Sequence, residues 1–255
     1  MFKFCPMCGK EAAPDWKCCP YCGFNFESGI APKATDSSAP NNESARNEYL
    51  ERKDFKIENG VLIKYIGKDE HVVIPARVTS IGEEAFKEWQ SLKSIVIPNG
   101  VKNIEEWAFG HCISLESVTI PDSVKSIGEK AFYDCKSLKS IVIPDSVKSI
   151  GDQAFCHCAS LMRVTIPNSV TSIGEWTFSN CFSLTSVTIP NSVTSIGERA
   201  FFGCTSLESV TIPDSVTSIG GSAFAACESL TRVNIPKDCK YQDNSFPEGC
   251  EVIKR

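Results

Sequence analysis

The apolar positions of this chain recur with a fixed period of 23 residues. Each unit opens on Ile-Pro, at Ile74, Ile97, Ile120, Ile143, Ile166, Ile189 and Ile212, and a degenerate eighth opens at Ile235. The units share the pattern IPxSVxSIGxxAFxxCxSLxSVx. Leucine returns from Leu92 to Leu230, phenylalanine from Phe86 to Phe224, and cysteine from Cys112 to Cys250, all at the same spacing. A period of this length is how a repeat architecture appears in sequence.

Within one unit the polarity pattern predicts the elements. Ser186 to Ile189 alternates polar and apolar, which predicts a short strand with Val187 and Ile189 inward. Pro190-Asn191-Ser192 turns the chain. Val193 and Ile196 face inward from a second extended piece that ends at Gly197. Glu198-Arg199-Ala200-Phe201 predicts a short helical or 3₁₀ turn, with acid where the helix dipole favours it. Cys204 and Leu207 bring the chain back to the next strand. One such coil cannot bury its own apolar side chains, but stacked coils set like residues on like in interior columns. The fold class is therefore a mostly-β repeat solenoid with a parallel sheet and short helical turns. At a strand spacing of about 4.8 Å, seven coils span roughly 35 Å.

The segments around the repeats break the period. The repeats fill 74–234, and 235–255 form a degenerate repeat and C-terminal cap. Residues 54–73 place two alternating runs around Asn59-Gly60, a dipeptide that favours a two-residue hairpin, and such a hairpin would cover the first coil. Residues 27–53 are rich in Ser, Ala, Pro, Asn and charge, with almost nothing apolar before Tyr49-Leu50, and predict a flexible linker. Residues 1–26 form a separate small module.

Composition adds limits. The chain has 255 residues and a net charge of −5. That balance does not suit a protein built mainly to neutralise nucleic-acid phosphates. No run of about 18 apolar residues predicts a membrane span. The opening MFKFCPMCGK lacks the apolar core and cleavage site of a secretory signal, so a cytoplasmic location is expected.

Of the 14 cysteines, 12 fall into two populations, with Cys156 and Cys239 outside both. Those on the 23-residue period follow a structural spacing. Those in CPMCGKEAAPDWKCCPYCG follow a ligand spacing: Cys5 and Cys8, then ten residues, then Cys19 and Cys22. Two C-x2-C knuckles supply four soft ligands in a tetrahedron, the arrangement of one structural Zn2+ with no open position for catalysis. Cys18 is the spare, because pairing it with Cys22 breaks the symmetry of the knuckles. So short a segment would draw most of its folding energy from the metal. Disulfides are the alternative use, and the missing export signal argues against them.

The repeat signature resembles that of the BspA-type leucine-rich repeat family, from about Val72 to Ile235. The resemblance implies a curved, right-handed parallel-sheet solenoid. It also implies a binding or adhesion role, often at bacterial cell surfaces, which sets a surface location beside the cytoplasmic one. The CPxCG pair resembles the zinc-ribbon domains common at the N-termini of bacterial proteins.

No catalytic constellation stands out, and the chain is read as a non-enzyme. His111 and His157 share a repeat position two coils apart, about 10 Å, too far for one ion. Cys156-His157-Cys158 looks metal-like only locally, since Cys158 belongs to the interior column.

Binding is the natural use of a solenoid, whose outward columns form continuous faces. One outward strand column carries Arg163 and Arg232 among serines, and the next carries Thr119, Thr165, Thr188 and Thr211. A flanking column with Glu116, Lys139 and Glu208 varies most in charge and is where partner discrimination is expected. The two arginines are candidate anchors, since Arg is enriched at interface hot spots. A separate column, Lys102, Lys125 and Lys148, forms a basic stripe that gives way to Thr171, Thr194 and Thr217. Either docking to an acidic partner or duplication in two blocks accounts for it. The expected function is a protein–protein interaction scaffold joined to a zinc ribbon. Nucleic-acid association through the ribbon, and carbohydrate or surface adhesion, are the alternatives.

Overall fold

A computed structural model describes residues 54–255. The cysteine knuckles and the linker lie outside the described residues.

Eighteen short strands follow in chain order: β1 (Phe55–Glu58), β2 (Val61–Tyr65), β3 (His71–Val73), β4 (Ser80–Ile81), β5 (Ser94–Val96), β6 (Asn103–Ile104), β7 (Ser117–Thr119), β8 (Ser126–Ile127) and β9 (Ser140–Val142). Then come β10 (Ser149–Ile150), β11 (Arg163–Thr165), β12 (Ser172–Ile173), β13 (Ser186–Thr188), β14 (Ser195–Ile196), β15 (Ser209–Thr211), β16 (Ser218–Ile219), β17 (Arg232–Ile235) and β18 (Glu251–Lys254). From β3 onward each coil contributes one long strand and one short strand, and the coils stack into a parallel solenoid of about eight turns. Long strands pair with long and short with short, in register: Ser186 lies beside Ser209 and Ile196 beside Ile219.

Stacking in register is what buries the apolar columns. Phe86, Phe109, Phe132, Phe155, Phe178, Phe201 and Phe224 stack with ring centroids 5.0–5.5 Å apart and planes within 4–15°. Tyr65 extends this ladder at one end and Phe246 at the other. The leucine column is buried from Leu92 to Leu230.

The expected helical turn does not form, and no helix occurs among the described residues. Arg199 (φ 53°) and Gly203 (φ 70°) are left-handed, and a left-handed residue at every fourth position cannot continue a right-handed helix. The amides of this segment alternate. Those of Ala200, Phe202 and Cys204 bond carbonyls three residues back, at 3.4, 3.1 and 3.3 Å. Those of Arg199, Phe201 and Gly203 reach Gly221, Ala223 and Ala225 of the next coil, at 3.0, 2.8 and 2.9 Å. A helix would use every amide internally and leave the neighbouring coil's carbonyls unpaired.

Both ends carry additions. The β1–β2 hairpin turns at Asn59 (φ 49°) and Gly60 (φ 80°), and β2 runs parallel beside β4. The Gly60 carbonyl accepts the Thr79 amide at 2.7 Å, which ties the hairpin to the first coil. At the other end the sequence period is lost, yet the stacking continues. β18 pairs with β17 over four residues.

Two junctions interrupt the sheets. The long-strand sheet divides between β7 and β9, and the short-strand sheet divides one coil later, between β10 and β12. At the second junction the amide of Gly174 lacks the bond to the preceding coil's isoleucine carbonyl that Gly151 and Gly197 make at 2.9 and 2.8 Å. Side chains bridge the opening instead. Asp152 Oδ1 accepts the Glu175 amide at 2.8 Å, and Asp145 Oδ1 accepts the Asn168 amide at 3.0 Å. The long strands of the same coils remain paired, Arg163 beside Ser140.

Candidate binding surface

The long strands set the geometry of the outward columns. In β7, β9, β11, β13 and β15 the middle residue is buried and its two neighbours are exposed. This follows from the two-residue alternation of a strand packed on one face. Thr165, Thr188 and Thr211 lie side by side, with Val142 before them and Asn234 after. Thr119 stands next to Val96, on the far side of the β7–β9 junction from this row.

The flanking column is an ordered ion-pair ladder. Lys93 Nζ donates to Glu70 Oε2 at 2.6 Å, and Lys139 Nζ donates to Glu116 Oε2 at 2.8 Å. The hydrogen bond from Lys139, and then its charge, hold the Glu116 carboxyl below its ordinary value. Glu116 and Lys139 thus neutralise each other across the β7–β9 junction. Beyond Lys139 the column continues with Met162, Thr185 and Glu208, all exposed.

The two arginines differ. Arg232 Nε donates to Glu251 Oε2 at 2.8 Å, across the β17–β18 pair. Arg163 is exposed and makes no ion pair among the described residues. Beside it stand two apolar side chains that the periodic pattern treats as ordinary column members. Val142 is 69% exposed and Met162 is 49% exposed. Phe182, at 45%, was not singled out by the sequence pattern; its place in the variable position after the interior cysteine is the only signal of it.

The basic stripe lies elsewhere. Lys102, Lys125 and Lys148 are exposed at the entries to the short strands, their backbones joined by bonds of 2.6 and 2.8 Å. The fold does not bring them together with Arg163. After the β10–β12 junction the column changes chemistry: the Thr194 and Thr217 hydroxyls donate to the preceding coil's carbonyls, both at 3.1 Å. Beside β12, β14 and β16 runs an open groove of about 590 Å³, with Ser172, Ser195 and Ser218 along it and Lys240, Tyr241 and Gln242 at one end.

The interior cysteines hold a specific bond. Each Sγ from Cys112 to Cys227 donates to a phenylalanine carbonyl one coil back, at 3.1–3.4 Å. Burial raises the thiol of Cys112 to about 12 and lifts those of Cys135, Cys158, Cys181 and Cys204 above the ordinary value, so these five sulfurs stay protonated and keep the donor. Cys156 is also buried, and among the described residues no group of His, Cys, Asp or Glu could hold a metal ion. His111 and His157 flank the Tyr133 ring, with centroids at 5.4 Å on each side. No helix among the described residues is long and apolar enough to cross a membrane.

Known proteins place the repeats. The family model described as the BspA type leucine rich repeat region matches residues 64–181 and 125–254. A leucine-rich repeat protein of T. pallidum is 31% identical, with 70% of this chain and 88% of that one covered and a TM-score of 0.65. A leucine-rich repeat protein of Bacteroides ovatus is also 31% identical, with 71% and 52% covered and a TM-score of 0.64. No curated protein matches this chain.

Proposed function

The chain belongs to the BspA-type leucine-rich repeat family, and from that premise we propose that it is a non-enzymatic scaffold that binds another protein along its long-strand face. The observation that carries this reading is the exposed, in-register array of hydroxyl, charged and apolar side chains that the long strands hold at fixed spacing. A rigid array of this kind presents its groups with little backbone ordering cost at binding. We further propose that Cys5, Cys8, Cys19 and Cys22 hold one structural Zn2+. Four thiolates in two C-x2-C pairs are the donor set that this ion takes.

Proximity labelling in cells with the full chain tests the first proposal. The wild type is compared with Thr165→Glu/Thr188→Glu on the long-strand face and with Lys125→Glu on the short-strand side. The double variant is expected to lose the labelled partners and Lys125→Glu to keep them. The opposite result places the binding on the lysine stripe. For the second proposal, metal analysis is expected to find one zinc per chain, lost in Cys5→Ser or Cys22→Ser and unchanged in Cys204→Ala.

A further inference from the structure

The long-strand face carries four cations in its outward and flanking columns: Lys93, Lys139, Arg163 and Arg232. Three are neutralised within the fold, by Glu70 at 2.6 Å, Glu116 at 2.8 Å and Glu251 at 2.8 Å. Arg163 is the exception among the described residues. It also sits where the face is most apolar. Val142, beside Thr165 in the register, is 69% exposed, and Met162, its chain neighbour, is 49% exposed. At the outward position of Arg163 five other coils carry serine, one carries the paired Arg232, and the first carries His71. Arginine and methionine are the side chains that interfaces concentrate. An exposed guanidinium beside apolar groups recognises a carboxylate that is itself flanked by apolar groups, because closing the contact removes water from the ion pair and strengthens it.

The next charge on this face toward the later coils fixes a direction. Glu208 belongs to the flanking column two coils beyond Met162, about 10 Å away at the strand spacing. An extended segment in the polyproline II conformation, at about 3.1 Å per residue and three residues per turn, covers that distance in about three residues and brings the third residue back to the same face.

We propose that Arg163, with Val142 and Met162, is the docking anchor for an extended segment of another protein that carries an Asp or Glu between apolar residues and a Lys or Arg three positions further along. The proposal rests on the long-strand face being the binding surface, and it names the chemistry of the partner. Arg163 fixes the carboxylate, Val142 and Met162 take the apolar neighbours, and Glu208 sets the polarity of the segment along the stack.

The test is an array of labelled seven-residue peptides titrated against the full chain. The peptides vary the central residue (Glu, Lys or Gln), its neighbours (Ile or Ser) and the residue three positions on (Lys, Glu or Ser). Peptides with Glu between isoleucines and Lys three positions on are expected to bind best, more weakly as salt rises. Arg163→Ala is expected to weaken them roughly tenfold to a hundredfold, the scale of a charge-assisted contact. Lys136→Ala, on the turn side of the coil, is expected to leave binding unchanged. Binding that ignores the central charge, or that survives Arg163→Ala, overturns the anchor while leaving the face reading intact. Binding by no peptide also overturns the anchor, and the proximity-labelling comparison then decides separately whether the face reading stands.

Discussion

A column of buried cysteines raises the question of what sulfur contributes that a methyl group would not. Here it fills the space of about one methylene and donates one bond to the coil before it. Phe132 O accepts both Cys158 Sγ at 3.3 Å and the Cys135 amide at 3.4 Å, so it keeps one partner if the thiol is removed. Cys158→Ala is therefore expected to cost only about 1–2 kcal/mol, read from the denaturation midpoint. The periodic spacing already set these cysteines apart from ligands, but the bond to the previous coil depends on stacking that one unit does not contain. The histidines had a legible signal of another kind. Glu88, His111, Asp134, His157, Asn180, Gly203 and Ala226 share one repeat position, and all seven have positive φ; five of them are His, Asp, Asn or Gly. Asn, Asp, His and Gly are the residues that tolerate that conformation, so the column is a backbone signature rather than a chemical one. Gln153 holds the companion position at φ 59°. Gln153→Val, which adds a β-branched side chain there, is expected to destabilise by about 1–3 kcal/mol in a thermal melt, whereas Gln153→Asn is expected to be close to neutral.

At the scale of elements, each coil is stable only because its amides alternate between itself and its neighbour. This is why the strands were legible and the turn was not. Ser-Val-Thr shows its inward side chain within three residues, whereas the segment 198–203 is shaped by carbonyls 22 residues away. The same reason hid the Arg232–Glu251 pair, whose acid lies beyond the point where the period is lost. The β1–β2 hairpin gives a local test. A Cβ on Gly60 would stand 2.7 Å from Thr79 Oγ1, and its φ of 80° disfavours any L side chain. Gly60→Val is expected to loosen the end of the stack first. Amide exchange should then quicken in β4 and β6 while β14 and β16 keep their protection.

For the molecule as a whole, the buried thiols make stability depend on alkaline pH. Burial raises the folded values of Cys112, Cys135, Cys158, Cys181 and Cys204 above the ordinary 9.0, while in the unfolded chain they ionise near it. The unfolded state therefore binds fewer protons above pH 9, and stability falls as pH rises from there, by up to about 1.4 kcal/mol per unit for each thiol. Urea midpoints are expected to be flat from pH 7 to 8.5 and to drop steeply above 9. The staggered sheet junctions have a mechanical consequence. Pulled from its two ends, the stack should yield first in its middle, at the β10–β12 opening, where two aspartates hold what backbone rungs hold elsewhere. A force-extension trace should show two rips of unequal length, and Asp145→Ala/Asp152→Ala should lower the force of the first and leave the second unchanged. The solenoid would then be a spring with a fuse near its centre, yielding beside the anchor residue while the outer coils stay wound.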